Sequence, residues 1–77
     1  MIIHVNLLGL DLMLTPHSFE RMVERGISVD EIKKLLESKD SQALLQKNGN
    51  IRITNGIISV VLRLSGKVLY LVTVYRN

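Results

Sequence analysis

Thr15-Pro16-His17-Ser18-Phe19-Glu20-Arg21-Met22-Val23-Glu24-Arg25-Gly26-Ile27 is the stretch from which the rest of this 77-residue chain can be laid out. It holds both a start and a stop for a short helix. The Thr15 hydroxyl can cap the first turn, and Pro16 at the first helical position gives up only an amide that lacks a partner there anyway. Gly26 ends the helix because it enters the left-handed conformation that a side chain resists. At about 100° per residue, Phe19, Met22 and Val23 share one side, and His17, Arg21 and Arg25 lie roughly opposite. The spacing predicts a helix docked through Phe19, Met22 and Val23. Its outer face then offers an imidazole and two guanidiniums, interrupted by Glu20 and Glu24. A surface ion pair between Arg21 and Glu24 at i+3 is the plain alternative, although Arg21 and Arg25 at i+4 repel each other.

Downstream, Ile27-Ser28-Val29-Asp30-Glu31-Ile32 is a second helix start. Ser28 and Glu31 form a capping box, and Ile27 and Ile32 a hydrophobic staple. Val29, Ile32, Leu35 and Leu36 make a buried stripe, with Lys33, Lys34 and Glu37 on the wet side. From Ser41 the pattern changes to extended runs divided by turns. Ala43–Lys47 precedes Asn48-Gly49-Asn50, Ile51–Thr54 precedes the hairpin pair Asn55-Gly56, and Ile57–Ser65 turns at Gly66 into Lys67–Arg76. Ile58, Val60, Leu62 and Leu64 share an apolar face turned toward the helices. The last run is apolar on both sides in its first half, as a central strand is. With Val72 and Val74 facing the core, Thr73 and Tyr75 share the other surface with Arg63 and Arg52.

Upstream, residues 2–7 alternate, with Ile3, Val5 and Leu7 on one side and His4 and Asn6 on the other, and the phase shifts after Gly9 as at a bulge or tight turn. The opening Met1–Leu14 is apolar, but it lacks a basic flank and a small-residue cleavage site, and it is shorter than the roughly 20 residues of a spanning helix. It belongs to the fold. The expected class is α+β: two short helices on a four-stranded antiparallel meander sheet, with an additional N-terminal strand, in one domain covering 1–77.

The chain contains no cysteine, which removes disulfides and thiolate nucleophiles and fits the cytoplasm. Two histidines without cysteine do not make a zinc site, and no metal or cofactor is expected. Charge is unevenly spread. Residues 1–40 hold all seven acids against five bases (5 − 7 = −2), and residues 41–77 hold five bases and no acid (+5). An acid-free half favours an anionic partner such as a phosphate backbone, and the same cations equally suit a solvated sheet face.

His17, Arg21, Arg25, Arg52, Arg63, Thr73 and Tyr75 form the candidate constellation. It has an imidazole, fixed cations, a phenol and a hydroxyl, with neither a carboxylate pair nor a metal-ligand cluster. That set suits metal-independent cleavage of RNA. The 2′-hydroxyl supplies the nucleophile, and the protein adds proton transfer and stabilisation of phosphate charge. Arginine holds two phosphate oxygens through its planar fork.

Thr15, His17, Arg21, Arg25, Gly26, Ile27 and Ser28, with the Thr73-Val74-Tyr75 ending, resemble the pattern T-x-H-x-x-x-R-x-x-x-R-G-I-S…T-V-Y of a small bacterial family of unknown function. That family is similar to the RelE-, barnase- and colicin-like (BECR) ribonuclease superfamily, many of whose members are toxins. The resemblance spans residues 12–77. It implies helices against an antiparallel sheet, a functional set of His17, Arg21, Arg25, Thr73 and Tyr75, and a cognate antitoxin or immunity protein as partner. Ser18 stands where the family commonly has Ala, a change expected to matter little.

The combined expectation is an RNA-binding, metal-independent endoribonuclease of toxin type. His17, Arg21, Thr73 and Tyr75 are its catalytic residues, and Arg25, Arg52 and Arg63 bind substrate. The rival is a non-catalytic interaction module, a homodimer joined through a sheet edge or the apolar first strand.

Overall fold

The computed structural model describes residues 2–6 and 8–77; Met1 and Leu7, both counted in the apolar opening, lie outside the described residues. In chain order the elements are β1 (Ile2–Val5), β2 (Leu10–Leu14), α1 (Pro16–Glu24), α2 (Val29–Glu37), β3 (Gln42–Leu45), β4 (Ile51–Thr54), β5 (Ile58–Ser65) and β6 (Val68–Arg76). None of the described helices is long and apolar enough to cross a membrane.

The strands form one six-stranded mixed sheet in the order β1-β2-β6-β5-β4-β3. This overturns the expected four-stranded antiparallel meander with one extra strand. The phase shift at Gly9 is a chain reversal: Gly9 sits at φ 64° and its amide donates to the Val5 carbonyl at 2.9 Å. The opening is therefore an antiparallel hairpin, Val5 opposite Leu10 and Ile2 opposite Met13. Its second strand runs parallel to β6, from Asp11 beside Val68 to Leu14 beside Leu71. β6 is thus flanked on both sides, by β2 and β5, which accounts for its apolar character on both faces.

Both helices cover the same face of the sheet, over a core that includes Val5, Leu12, Leu14, Met22, Ile32, Leu35, Leu36, Val60, Leu62, Leu71 and Val74. Ser28 and Glu31 complete the capping box of α2, which buries Ile32, Leu35 and Leu36. Leu64, expected under the helices, is exposed, on the part of β5 beyond Leu62 where β4 no longer pairs with it.

β6 departs from strict alternation. Val61 pairs with Thr73, but the next residue, Leu62, pairs with Leu71, so Val72 is an extra residue with no partner. This bulge resets which side each later residue faces. Leu69, Leu71 and Val74 consequently all reach the core, while Tyr70, Thr73 and Tyr75 all point to the helix-free face. Val72, expected in the core beside Val74, is exposed at the bulge.

Candidate functional site

α1 is placed by its two ends. At the start, the Thr15 hydroxyl accepts from the Ser18 amide at 3.1 Å while the Thr15 amide donates to the Ser18 hydroxyl at 2.9 Å, a reciprocal capping box. The Ser18 hydroxyl also lies 2.9 Å from the Thr15 carbonyl, so this buried polar side chain is fully partnered. Ser18 therefore has a structural role that alanine could not fill, because its hydroxyl closes the cap.

The other end meets β6 beyond the point where β2 stops. Arg25 Nη1 donates to the Val74 carbonyl at 2.7 Å. Arg76 returns the contact: its Nε donates to the Arg25 carbonyl at 3.2 Å and its Nη2 to the Gly26 carbonyl at 2.6 Å, and its Nη1 lies 3.6 Å from Glu31 of α2. A cation is thus set against the unpaired carbonyls at the helix C-terminus. Arg76 escaped the sequence reading, since nothing local marks it as a cap for a helix some fifty residues away.

These anchors turn α1 away from its expected face. The buried line is Ser18 and Met22, while Phe19 and Val23 are 41% and 68% exposed. At 100° per residue that is a rotation of roughly 70°. The expectation that Phe19 and Val23 dock the helix is therefore incorrect, and Arg25 is aimed at the strand rather than outward. Arg21 pairs with Glu24 at 3.1 Å, as the surface alternative has it. His17 is exposed at the first turn of α1. It lies eight residues, about 12 Å along the axis, from the Arg25 end that meets β6 beside Tyr75. The shared border of His17 and Tyr75 that the sequence suggested is not built by any contact between them.

The remaining candidates do come together. Arg52, Val61 and Thr73 lie in one row across β4, β5 and β6, so Arg52 and Thr73 are two strands, about 10 Å, apart. Thr54, Ser59 and Tyr75 form the neighbouring row, and Arg63 stands opposite Tyr70. All of these side chains are on the face that no helix covers. Among the described strand residues only Asp11 is acidic, and its carboxylate is 2.9 Å from His4 Nδ1.

Comparison of the chain with protein-family models, curated proteins and solved structures gives no match.

At the β4 end of this face is a polar cleft of about 330 Å³ whose lining includes Asp40, Gln42, Arg52, Thr54 and Asn77. Asp40, the last acid before the acid-free half of the chain, stands in this lining with Arg52. Asn77, also missed, is fixed there: Ser59 Oγ donates to its Oδ1 at 2.7 Å, and its Nδ2 donates to Thr54 Oγ1 at 3.0 Å. Arg52 Nε, by contrast, is buried with no hydrogen-bond partner. A buried donor without an acceptor costs free energy until an acceptor arrives. Among the described residues no three His, Asp or Glu side chains gather as a metal site would require.

Proposed function

We propose that this protein binds RNA on the helix-free face of its sheet and cleaves it as a metal-independent endoribonuclease. The observation that carries the reading is the gathering of Arg52, Arg63, Tyr70, Thr73 and Tyr75 on one open face whose single strand carboxylate is engaged by His4. Phosphates gain from the two guanidiniums, Arg52 Nε obtains the acceptor it lacks, and unstacked bases have Tyr70 and Tyr75 to lie on. Single-stranded RNA fits better than a duplex, because its bases are free to reach a flat sheet.

In the cleavage step the RNA 2′-oxygen bonds to the adjacent phosphorus and the bond to the 5′-oxygen breaks, leaving a cyclic phosphate. Tyr75 supplies a proton to the departing oxygen and Thr73 orients the phosphate, while the 2′-hydroxyl proton passes to solvent. His17 and Arg21, grouped with them in the sequence, lie on α1 against the opposite face of the sheet and are left out of the step. The resemblance to toxin ribonucleases supports this chemistry, a cytoplasmic site of action and restraint by an antitoxin or immunity protein. Arg25, assigned to substrate from sequence, is committed to the Val74 carbonyl and is left out of the binding set.

Two measurements separate binding from cleavage. Filter binding of labelled single-stranded RNA between about 50 and 200 mM salt is expected to weaken steeply, with the double substitution Arg52→Ala and Arg63→Ala reducing the log–log slope by about 1.4. An unchanged slope overturns the assigned face. RNA incubated with the protein in chelator is expected to be cut, to survive with Tyr75→Phe, and to be cut as before with His17→Ala. Intact RNA with the unsubstituted protein removes the nuclease and leaves the binding.

A further inference from the structure

β3 ends the sheet, and its outer backbone faces no other strand. All four residues, Gln42-Ala43-Leu44-Leu45, are exposed, and Leu44 and Leu45 are 51% and 78% so. The strand has no charge, proline or bulge of the kind that guards an edge against further pairing.

Which backbone groups point outward follows from the hairpin. The Gln46 amide donates to the Asn50 carbonyl at 2.8 Å, so Gln46 faces β4. In an antiparallel ladder the direction alternates, so Gln42 and Leu44 also face β4, while Ala43 and Leu45 turn their N–H and C=O groups away from the molecule. These are free donors and acceptors flanked by bare leucines.

We propose that β3 pairs antiparallel with β3 of a second copy of this chain, joining two six-stranded sheets into one. A two-fold axis perpendicular to the sheet keeps like faces together, so residues of equal parity must stand opposite each other. Of the registers that satisfy this and the outward pattern, the two centred nearest the middle of β3 overlap the strands most fully. Centring on Ala43 sets Leu44 against Gln42, Leu45 against Ser41, and Lys39 against Lys47. Centring on Leu44 sets Leu44 against Leu44 and Leu45 against Ala43, and Ala43 and Leu45 exchange both of their hydrogen bonds. Gln42 then meets Gln46, and Asp40 of each copy comes within one residue of Lys47 of the other. Apolar contacts and charge select the same register, the one centred on Leu44. This interface runs along the sheet edge and adjoins the Arg52–Tyr75 face, since Asp40 and Gln42 also line the cleft beside Arg52.

The chain lacks cysteine, which makes the register directly testable. Residues directly opposite in a pair without mutual hydrogen bonds have Cα atoms about 4.5 Å apart, inside the range of about 4.4–6.8 Å that a disulfide spans. Full-length Leu44→Cys under mild oxidation is expected to run as a covalent dimer on a non-reducing gel. Gln42→Cys is expected to stay monomeric, its two copies lying about 13 Å apart along the strands. Sedimentation of the unsubstituted chain is expected to approach twice the monomer mass as concentration rises. Leu44→Lys, which sets two ammonium groups against each other on the axis, is expected to remain a monomer with an unchanged circular dichroism spectrum. A monomer at every concentration, or a Gln42→Cys variant that cross-links as strongly as Leu44→Cys, overturns the proposal.

Discussion

β6 and β3 each leave a length of backbone edge without a strand beside it, and the molecule treats the two in opposite ways. Beyond Leu71, β6 outruns β2, and α1 fills the gap: Arg25 takes the outward Val74 carbonyl while Arg76 holds the end of the helix. Along β3 no such cover is built from the described residues, and the side chains are left bare. An edge closed by the chain's own arginine is part of the fold, whereas an edge lined with exposed leucine is available to something outside it. The difference teaches that free backbone is managed here by specific side chains, and that where none is supplied the edge keeps its outward pairing groups.

The largest effect is expected where the covered edge is opened. Arg25→Ala removes a charge-assisted bond to a strand carbonyl, with an expected loss of about 2 kcal/mol in urea unfolding. Arg25→Lys is expected to recover part of it, since an ammonium can reach the carbonyl but cannot span it as a guanidinium does. Next comes Arg76→Ala, at about 1.5 kcal/mol, because two helix-terminal carbonyls lose their donor and the contact with Glu31 goes with them. A loss under about 0.5 kcal/mol for both would mean that the edge is held by packing alone.

The opposite end of α1 gives a smaller test. Ser18→Ala leaves the Thr15 amide without its acceptor and is expected to cost about 1 kcal/mol. If it costs nothing, the tilt that aims Arg25 at β6 does not depend on the capping box.

How much of this could be read from the chain depended on the range over which each decision is made. α2 was legible in full, because Ser28, Glu31 and the stripe Ile32, Leu35, Leu36 are settled within one helix. The boundaries of α1 were equally local, but its buried side was not. Counting apolar residues favours Phe19 and Val23, whereas the structure buries Ser18, whose hydroxyl is satisfied by its own turn, and brings in Arg25 for a carbonyl 49 residues away. The parallel pairing of β2 with β6 joins residues 11–14 to 68–71 and leaves no local trace beyond the two-sided apolarity of β6. The bulge at Val72 left none: Leu69, Leu71 and Val74 all reach the core, which alternation along the sequence does not suggest. Thr73 and Tyr75 were therefore assigned to the correct face from Val74, while the core place given to Val72 was wrong. The joining of His17 to Tyr75 depended on the rotation of α1, which is decided by contacts with β6 and not by residues near His17.

The smallest effect on the folded monomer is expected at the open edge. Leu44 is half exposed on a strand that ends the sheet, so Leu44→Lys removes little buried area and is expected to shift the stability of dilute protein by less than about 0.5 kcal/mol. Concentration should then divide the two proteins. Pairing through β3 adds stability by mass action, so the unfolding midpoint of the unsubstituted chain is expected to rise with concentration while that of Leu44→Lys stays level. Arg25→Ala should keep the concentration dependence and lower every midpoint, since it weakens the covered edge and leaves β3 free. If Leu44→Lys instead destabilises dilute protein as much as Arg25→Ala does, β3 is needed to hold the monomer together, and the contrast between a closed edge and a spare one fails.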